Sequence, residues 1–372
     1  IFNLRRVLSF ALYDTGETIL GAIVFSTFYP LYITKHIDPK LYSTLYGFAF
    51  FLSFLMAVPL AKLADSRAYR KRFFVLFTLL TSVLGILLSF NLHMPALNLF
   101  LYLLMAVFHQ QAMVFYNSLL GGFESKGTTS GVGVAFGYLG SALSLLLLAE
   151  FFKVPEVFYQ TALIFLFLSL PAIFSLPNPP QKTTISLRKE LEDRRFLLLV
   201  LAILSLTEVA NTLIAMMGIY LKHAYGLEDR EIYKVIGLSA LGGVFGGLLF
   251  GKLTDKLKAR RLFPLGFVLW SLFLIVLYLT PRELLLFVGF LGGLSLSHLW
   301  TTSRVLLLEL FPLETVSLRM SFLSLSERIA STTGLWVWSL FMLLTGNDYK
   351  FSALLMVVFP VVGIFFYLFS RR

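Results

Sequence analysis

Six ionisable side chains, Asp14, Glu17, Glu208, Arg304, Glu327 and Arg328, fall inside long apolar runs of a 372-residue chain. An ionised group at the middle of a bilayer costs roughly 2.5 to 3.5 kcal/mol on insertion scales, so each of them must face protein or water. Asp14 and Glu17 are three residues apart and share a helical face, and Glu208 with Asn211 repeats that spacing. Two acids one turn apart in a low dielectric cannot both stay ionised cheaply. Asp14, Glu17 and Glu208 are therefore candidates to carry a coupling proton. Glu327 and Arg328 read as a buried charge pair. A rival reading makes all six charges interhelical ion pairs that only hold the protein together.

Polar residues concentrate in two further apolar runs. One carries His109, Gln110, Gln111, Tyr116 and Asn117, the other Ser297, His298, Trp300, Thr301 and Thr302. They suggest solute-lining faces, with Gln110, Gln111, Asn117, Asn211, Trp300 and Arg304 as candidate substrate contacts and His109 and His298 as weaker ones. Hydrogen bonding between helices is the competing explanation. The glycines at 131, 133, 137 and 140 have no strand before them and sit in an apolar run, so they read as close helix packing, as do Gly243, Gly247 and Gly251.

The elements that must position these residues follow from composition. The chain is 58% hydrophobic and 14% charged with a mean hydropathy of +0.84, outside the soluble range. Spans of about 20 residues give an all-α polytopic membrane protein of twelve transmembrane helices. They fall near 7 to 34, 41 to 62, 72 to 91, 95 to 119, 128 to 151, 156 to 176, 196 to 222, 231 to 252, 261 to 280, 283 to 310, 317 to 345 and 350 to 370. The first is not a signal peptide, since it runs past Pro30 with acids inside it.

With both termini in the cytoplasm, 21 of the 31 Lys and Arg residues lie on that side. This positive-inside pattern accounts for the net charge of +11 through topology and anionic lipid headgroups, without a nucleic-acid partner. The expected location is the cytoplasmic membrane, with both ends of the chain cytoplasmic. A stretch over 177–195 holds three prolines and a mixed-charge run, and divides a six-helix bundle at 1–176 from another at 196–372. Its charged run is expected to form a short amphipathic helix on the membrane surface.

An internal repeat supports two pseudo-symmetric halves. The segment from Ala61 to Lys71, containing Lys62, Asp65 and Arg70, aligns without a gap at an offset of 190 with Gly251 to Arg261, containing Lys252, Asp255 and Arg260. Asp14, Glu17 and Thr18 align at an offset of 194 with Glu208, Asn211 and Thr212. Parallel six-helix repeats are a transporter architecture with the site between the halves.

The loop pattern Gly/Ala-Lys-Leu-x-Asp with a following basic cluster resembles the signature of the major facilitator superfamily. Other segments are similar to its vacuole-effluxer-like branch, which includes autophagy-related amino-acid exporters. These are Ala11 to Asp14, Phe115 to Asn117, Ser130 to Gly140, Asn211-Thr212 with Gly218 to Tyr220, Ser303-Arg304 with Pro312, and Ser326 to Arg328 ahead of Gly334. The chain departs from the branch at Glu17, Glu208, Arg328 and Gly121, which alters charge placement.

The resemblance implies alternating access, with spans 1, 4, 7 and 10 bordering a central cavity and Arg304 as counter-charge for Asp14 or Glu17. It implies a secondary transporter that exports an amino acid or similar metabolite; the paired acids make proton coupling the expectation, and a monomer would suffice for this architecture. A sugar or amphiphilic drug transporter and a lipid translocator are the alternatives. Asp65, Arg70, Asp255 and Arg260 are expected to form a conformational latch, a carboxylate meeting a helix N-terminus or an arginine in one state and releasing it in another.

Enzyme chemistry finds no footing. The five histidines include no pair three or four apart, and neither a P-loop nor a Gly-x-Ser-x-Gly elbow occurs. With no cysteine either, neither a metal site nor a cofactor is expected.

Overall fold

The computed structural model describes residues 3–184 and 186–372. Among these, eleven helices are long and apolar enough to cross a membrane. They are α1 (Leu4–Ile33), α2 (Leu41–Arg67), α3 (Arg70–Phe90), α4 (Pro95–Gly122), α5 (Lys126–Leu148), α6 (Glu156–Ser175), α7 (Arg194–Tyr225), α8 (Asp229–Leu257), α9 (Ala259–Leu279), α10 (Arg282–Leu310) and α12 (Tyr349–Ser370). A twelfth, α11 (Val316–Leu344), is 29 residues long and carries Arg319, Glu327 and Arg328 within its length. The expected spans are thus all helical, for the reason that a bilayer leaves the backbone no other partner than itself.

Local signals set several helix ends. The Asp193 carboxylate accepts from the Phe196 N–H at 3.2 Å to start α7, which Gly226 ends with φ at 65°, a conformation open to glycine. Pro95 occupies the first turn of α4, where its missing N–H costs nothing.

Packing repeats with a period of six helices. The pairs α1–α5, α1–α6, α2–α4, α3–α4 and α3–α6 recur as α7–α11, α7–α12, α8–α10, α9–α10 and α9–α12. Between the two sets, α5 packs on α8 and α2 on α11, again equivalent under the repeat. Small residues permit the first of these contacts. A Cβ on Gly247 would lie 2.7 Å from the Gly131 carbonyl oxygen, and one on Gly251 would lie 2.8 Å from that of Gly127.

One departure from symmetry stands beside the cavity described below. The helices α1 and α5 widen to π-helix over Gly21–Phe28 and Ser144–Leu148, segments that touch each other, and these irregularities cluster at functional sites.

The linker run forms a short helix, Leu187–Glu192, as expected, but it is held to protein and does not simply rest on a membrane surface. Glu190 pairs with Arg319 of α11, and Asp193 lies 3.8 Å from the same guanidinium. That guanidinium is sandwiched between the rings of Phe196 and Phe311, at 4.2 and 4.1 Å.

Candidate functional site

A cavity of about 400 Å³ lies between the two sets of helices, lined from α1, α4 and α5 on one side and α7, α10 and α11 on the other. Its first wall carries Asp14, Glu17, His109, Gln110 and Asn117, and its second Asn211, Trp300, Arg304, Glu327 and Arg328. Most of the expected contacts are therefore brought together, from both halves of the sequence.

Arg304 is the hub of the floor. Its Nε donates to the Ser130 hydroxyl at 2.6 Å, Nη2 to the Ser130 carbonyl at 2.8 Å and Nη1 to the Asn117 side-chain oxygen at 3.1 Å. Asp14 lies 3.8 Å from Nη2 and accepts a long hydrogen bond, 3.4 Å, from the Tyr116 hydroxyl. The bare Cα of Gly133 makes the room, since a Cβ there would stand 3.1 Å from Asp14 and 3.2 Å from Arg304. Glu17, one turn along α1, pairs with His109 at 3.2 Å.

The repeat is visible in side-chain packing. Asp14 and Thr18 flank Gly137 of α5, and Glu208 and Thr212, their equivalents in α7, flank Gly334 of α11. Yet the two acids differ in surroundings. Glu208 is buried, accepts from the Thr333 hydroxyl and does not line the cavity. As a coupling candidate it is set apart from Asp14 and Glu17, because helix packing turns its carboxylate onto α11.

Three more expectations are corrected by placement. Gln111 is fully buried and donates to the Ser53 carbonyl and hydroxyl of α2, at 2.6 and 2.9 Å, so it ties helices and does not face the cavity. His298 is buried among protein, its Nε2 2.9 Å from the Leu262 carbonyl oxygen, and Thr302 donates to the backbone of its own helix. Glu327 and Arg328 both line the cavity but form no ion pair with each other among the described residues, since successive residues diverge by about 100° around a helix. Arg328 instead donates from Nε to Gln110 at 3.1 Å. Asn211 donates to the Glu327 carbonyl and the Ser331 hydroxyl, at 3.1 and 3.2 Å.

His298 allows a direct check of the distinction between structural and lining residues. His298→Ala strands a buried carbonyl at a cost of roughly 1 to 3 kcal/mol. It is expected to lower the melting temperature in detergent while leaving the transport KM unchanged.

The cavity is closed toward the end that holds the linker. There the Asp65 carboxylate accepts from the N–H groups of Ser317 and Leu318, both at 3.0 Å, at the N-terminus of α11. Its equivalent Asp255 accepts from Gly127 and Thr128 at 2.7 and 2.8 Å, at the N-terminus of α5. Each carboxylate thus meets free N–H donors and the positive end of a helix from the other half. Arg70 donates to Asp65 at 3.0 Å and to the carbonyls of Pro179, Gln181, Leu313 and Glu314, joining linker and loops. Arg260 takes no such part: it is exposed, and its Nε stands 3.9 Å from Glu309, whose carboxylate caps α9 through Ala259 at 2.7 Å.

Sequence reasoning missed Ser130, the main partner of Arg304, because the adjoining glycines drew the whole segment into a packing role. It also missed Arg319 in the first turn of α11, which the fold brings against the linker acids Glu190 and Asp193.

Residues 198–372 match the family described as Major Facilitator Superfamily. An uncharacterized protein of Aquifex aeolicus (strain VF5) is 57% identical over 363 residues, which is 98% of this chain and 96% of that protein. Among solved structures, a bacterial homologue of the iron transporter ferroportin in its outward-facing state superposes with a TM-score of 0.79 at 15% identity, over 99% of this chain and 98% of the other. The fucose:proton symporter of E. coli superposes with a TM-score of 0.78 at 13% identity over 99% and 98%, and the human organic anion transporter MFSD10 with 0.78 at 13% over 98% of each chain. The family match thus covers the second half of the chain, the same packing repeats in its first half, and the whole chain has the fold of these solved transporters.

Proposed function

We propose that the protein is a proton-coupled secondary transporter of the cytoplasmic membrane, with both termini cytoplasmic, that moves an amino acid or similar small metabolite, in the direction of efflux, by alternating access between two six-helix bundles at 1–176 and 196–372. The observation that carries this reading is the cavity between the bundles, walled by acids and arginines from both, closed at the linker end by two symmetry-related carboxylates on helix N-termini. If the linker is cytoplasmic, this is an outward-facing arrangement. Closure by capping bonds is readily reversed, since each cap is worth only about 0.5 to 2 kcal/mol.

Asp14 and Glu17 supply the coupling carboxyls. Asp14 stands beside Arg304, which is bonded to α4 and α5, so a proton on Asp14 weakens its attraction to the arginine that bridges the bundles. Glu17 sits one turn nearer the solute and holds His109. The similarity to the vacuole-effluxer-like branch supports amino acids as substrates and export as the direction. A monomer contains the complete site.

The test is substrate-induced proton flux in proteoliposomes loaded with a pH dye, across a panel of amino acids. Flux is expected with one class of compound and at least a tenfold loss in Glu17→Gln. Unchanged proton-driven flux in the variant would remove Glu17 as the coupling group. Silence across the panel from folded protein would remove the amino-acid assignment.

A further inference from the structure

The cavity holds two arginines, and their bonding differs. Arg304 has every side of its guanidinium engaged by Ser130, Asn117 and Asp14, and it is 7% exposed. Among the described residues Arg328 has one protein acceptor, Gln110, reached through Nε. Its guanidinium carbon lies 4.1 Å from the centre of the Phe50 ring, and neither terminal amino group meets a protein acceptor among the described residues. A guanidinium stacked on a ring and pinned through Nε is held in a fixed plane, and its Nη1–Nη2 edge is a fork matched to the two oxygens of a carboxylate.

We infer that Arg328, presented by Phe50 and Gln110, is the docking site for a carboxylate of the transported solute, whereas Arg304 is a structural bridge. Glu327, the preceding residue on α11, lines the same cavity, forms no ion pair among the described residues and supplies the opposite pole for a cationic group on the solute. The charge arrangement therefore selects a molecule with both poles over an uncharged sugar. This inference deepens the transporter reading and rests on it.

The test uses purified full-length protein in lipid nanodiscs, with binding followed by thermal shift and calorimetry and exchange followed by counterflow in proteoliposomes. The probes are the twenty L-amino acids, their methyl esters, the matching amines that lack the carboxyl, and the simple carboxylates lactate and succinate. In wild type, an amino acid is expected to bind at least tenfold tighter than its ester or amine. Arg328→Gln should weaken the acid to the level of the ester and leave ester and amine unchanged. Arg328→Lys should restore only part of the affinity, since one ammonium lacks the fork, and Phe50→Ala should weaken the acid severalfold while retaining the melting temperature.

Equal binding of acid and ester, or full affinity in a folded Arg328→Gln, overturns the site while leaving transport itself intact. If lactate or succinate binds in an Arg328-dependent way and no amino acid does, the amino-acid assignment fails and the docking site stands. If no carboxylate binds wild type, the docking site is overturned.

Discussion

Gly131→Val is expected to hold the linker end of the molecule apart and to lower transport at least tenfold. A Cβ on Gly131 overlaps the Gly247 carbonyl oxygen, and both atoms belong to helix backbone, which cannot swing aside as a side chain can. The obstruction also lies one turn from Gly127, whose N–H binds Asp255. Separating α5 from α8 thus removes a cap as well as a contact, and the relief available is the conformation in which the linker end is open.

Because the chain has no cysteine, a single introduced thiol reports on this without background. Ser317 is fully buried in the closed arrangement, so the thiol of a Ser317→Cys protein should react slowly with an impermeant maleimide from the linker side. Adding Gly131→Val should raise the rate at least tenfold. Gly218→Ala, where an added Cβ meets nothing within 4 Å, serves as the neutral comparison. Unchanged labelling together with normal transport in Gly131→Val would show that this contact is not part of the closed gate.

Arg304→Gln is expected to be the most damaging single change in the floor of the cavity. It removes three hydrogen bonds that join α10 to α4 and α5 and leaves Asp14 without its counter-charge. Breaking one side of a buried charge pair costs about 3 to 5 kcal/mol. A marked fall in melting temperature and loss of transport should follow.

Arg304→Lys keeps the charge but cannot reach Ser130 and Asn117 together, so it should recover stability only in part. Adding Asp14→Asn to Arg304→Gln removes the orphaned carboxylate and should regain stability without regaining transport. An Arg304→Gln protein that melts with wild type would mean that the bridge contributes nothing to the closed state. A double variant that transports would show that neither group takes part in coupling.

The twelve spans and the six-helix repeat were legible in the sequence alone, as was a latch at Asp65 and Asp255, while the choice between a helix N-terminus and an arginine as partner was not. The bilayer is what makes the spans legible: it demands about 20 apolar residues per crossing and makes every buried charge conspicuous. A carboxylate repeated at the same helix end in both halves can meet free N–H groups or a neighbouring guanidinium, and Asp65 meets both.

What the tertiary structure alone decided is which way each polar residue points. Gln110 and Gln111 are neighbours of one type, yet one meets Arg328 in the cavity and the other is bound to Ser53. Asp14 and Glu208 occupy equivalent positions of the repeat, and only Asp14 borders the cavity. Arg70 joins its Asp65, while the equivalent Arg260 lies exposed beside Glu309. In a water-soluble helix the apolar stripe marks the buried face, but here lipid and core are equally apolar, so hydropathy is silent about rotation around the helix axis. Neighbouring helices set that rotation, through glycines such as Gly133 and Gly334 that let particular side chains fit, and with it they decide which charges meet each other and which meet the solute.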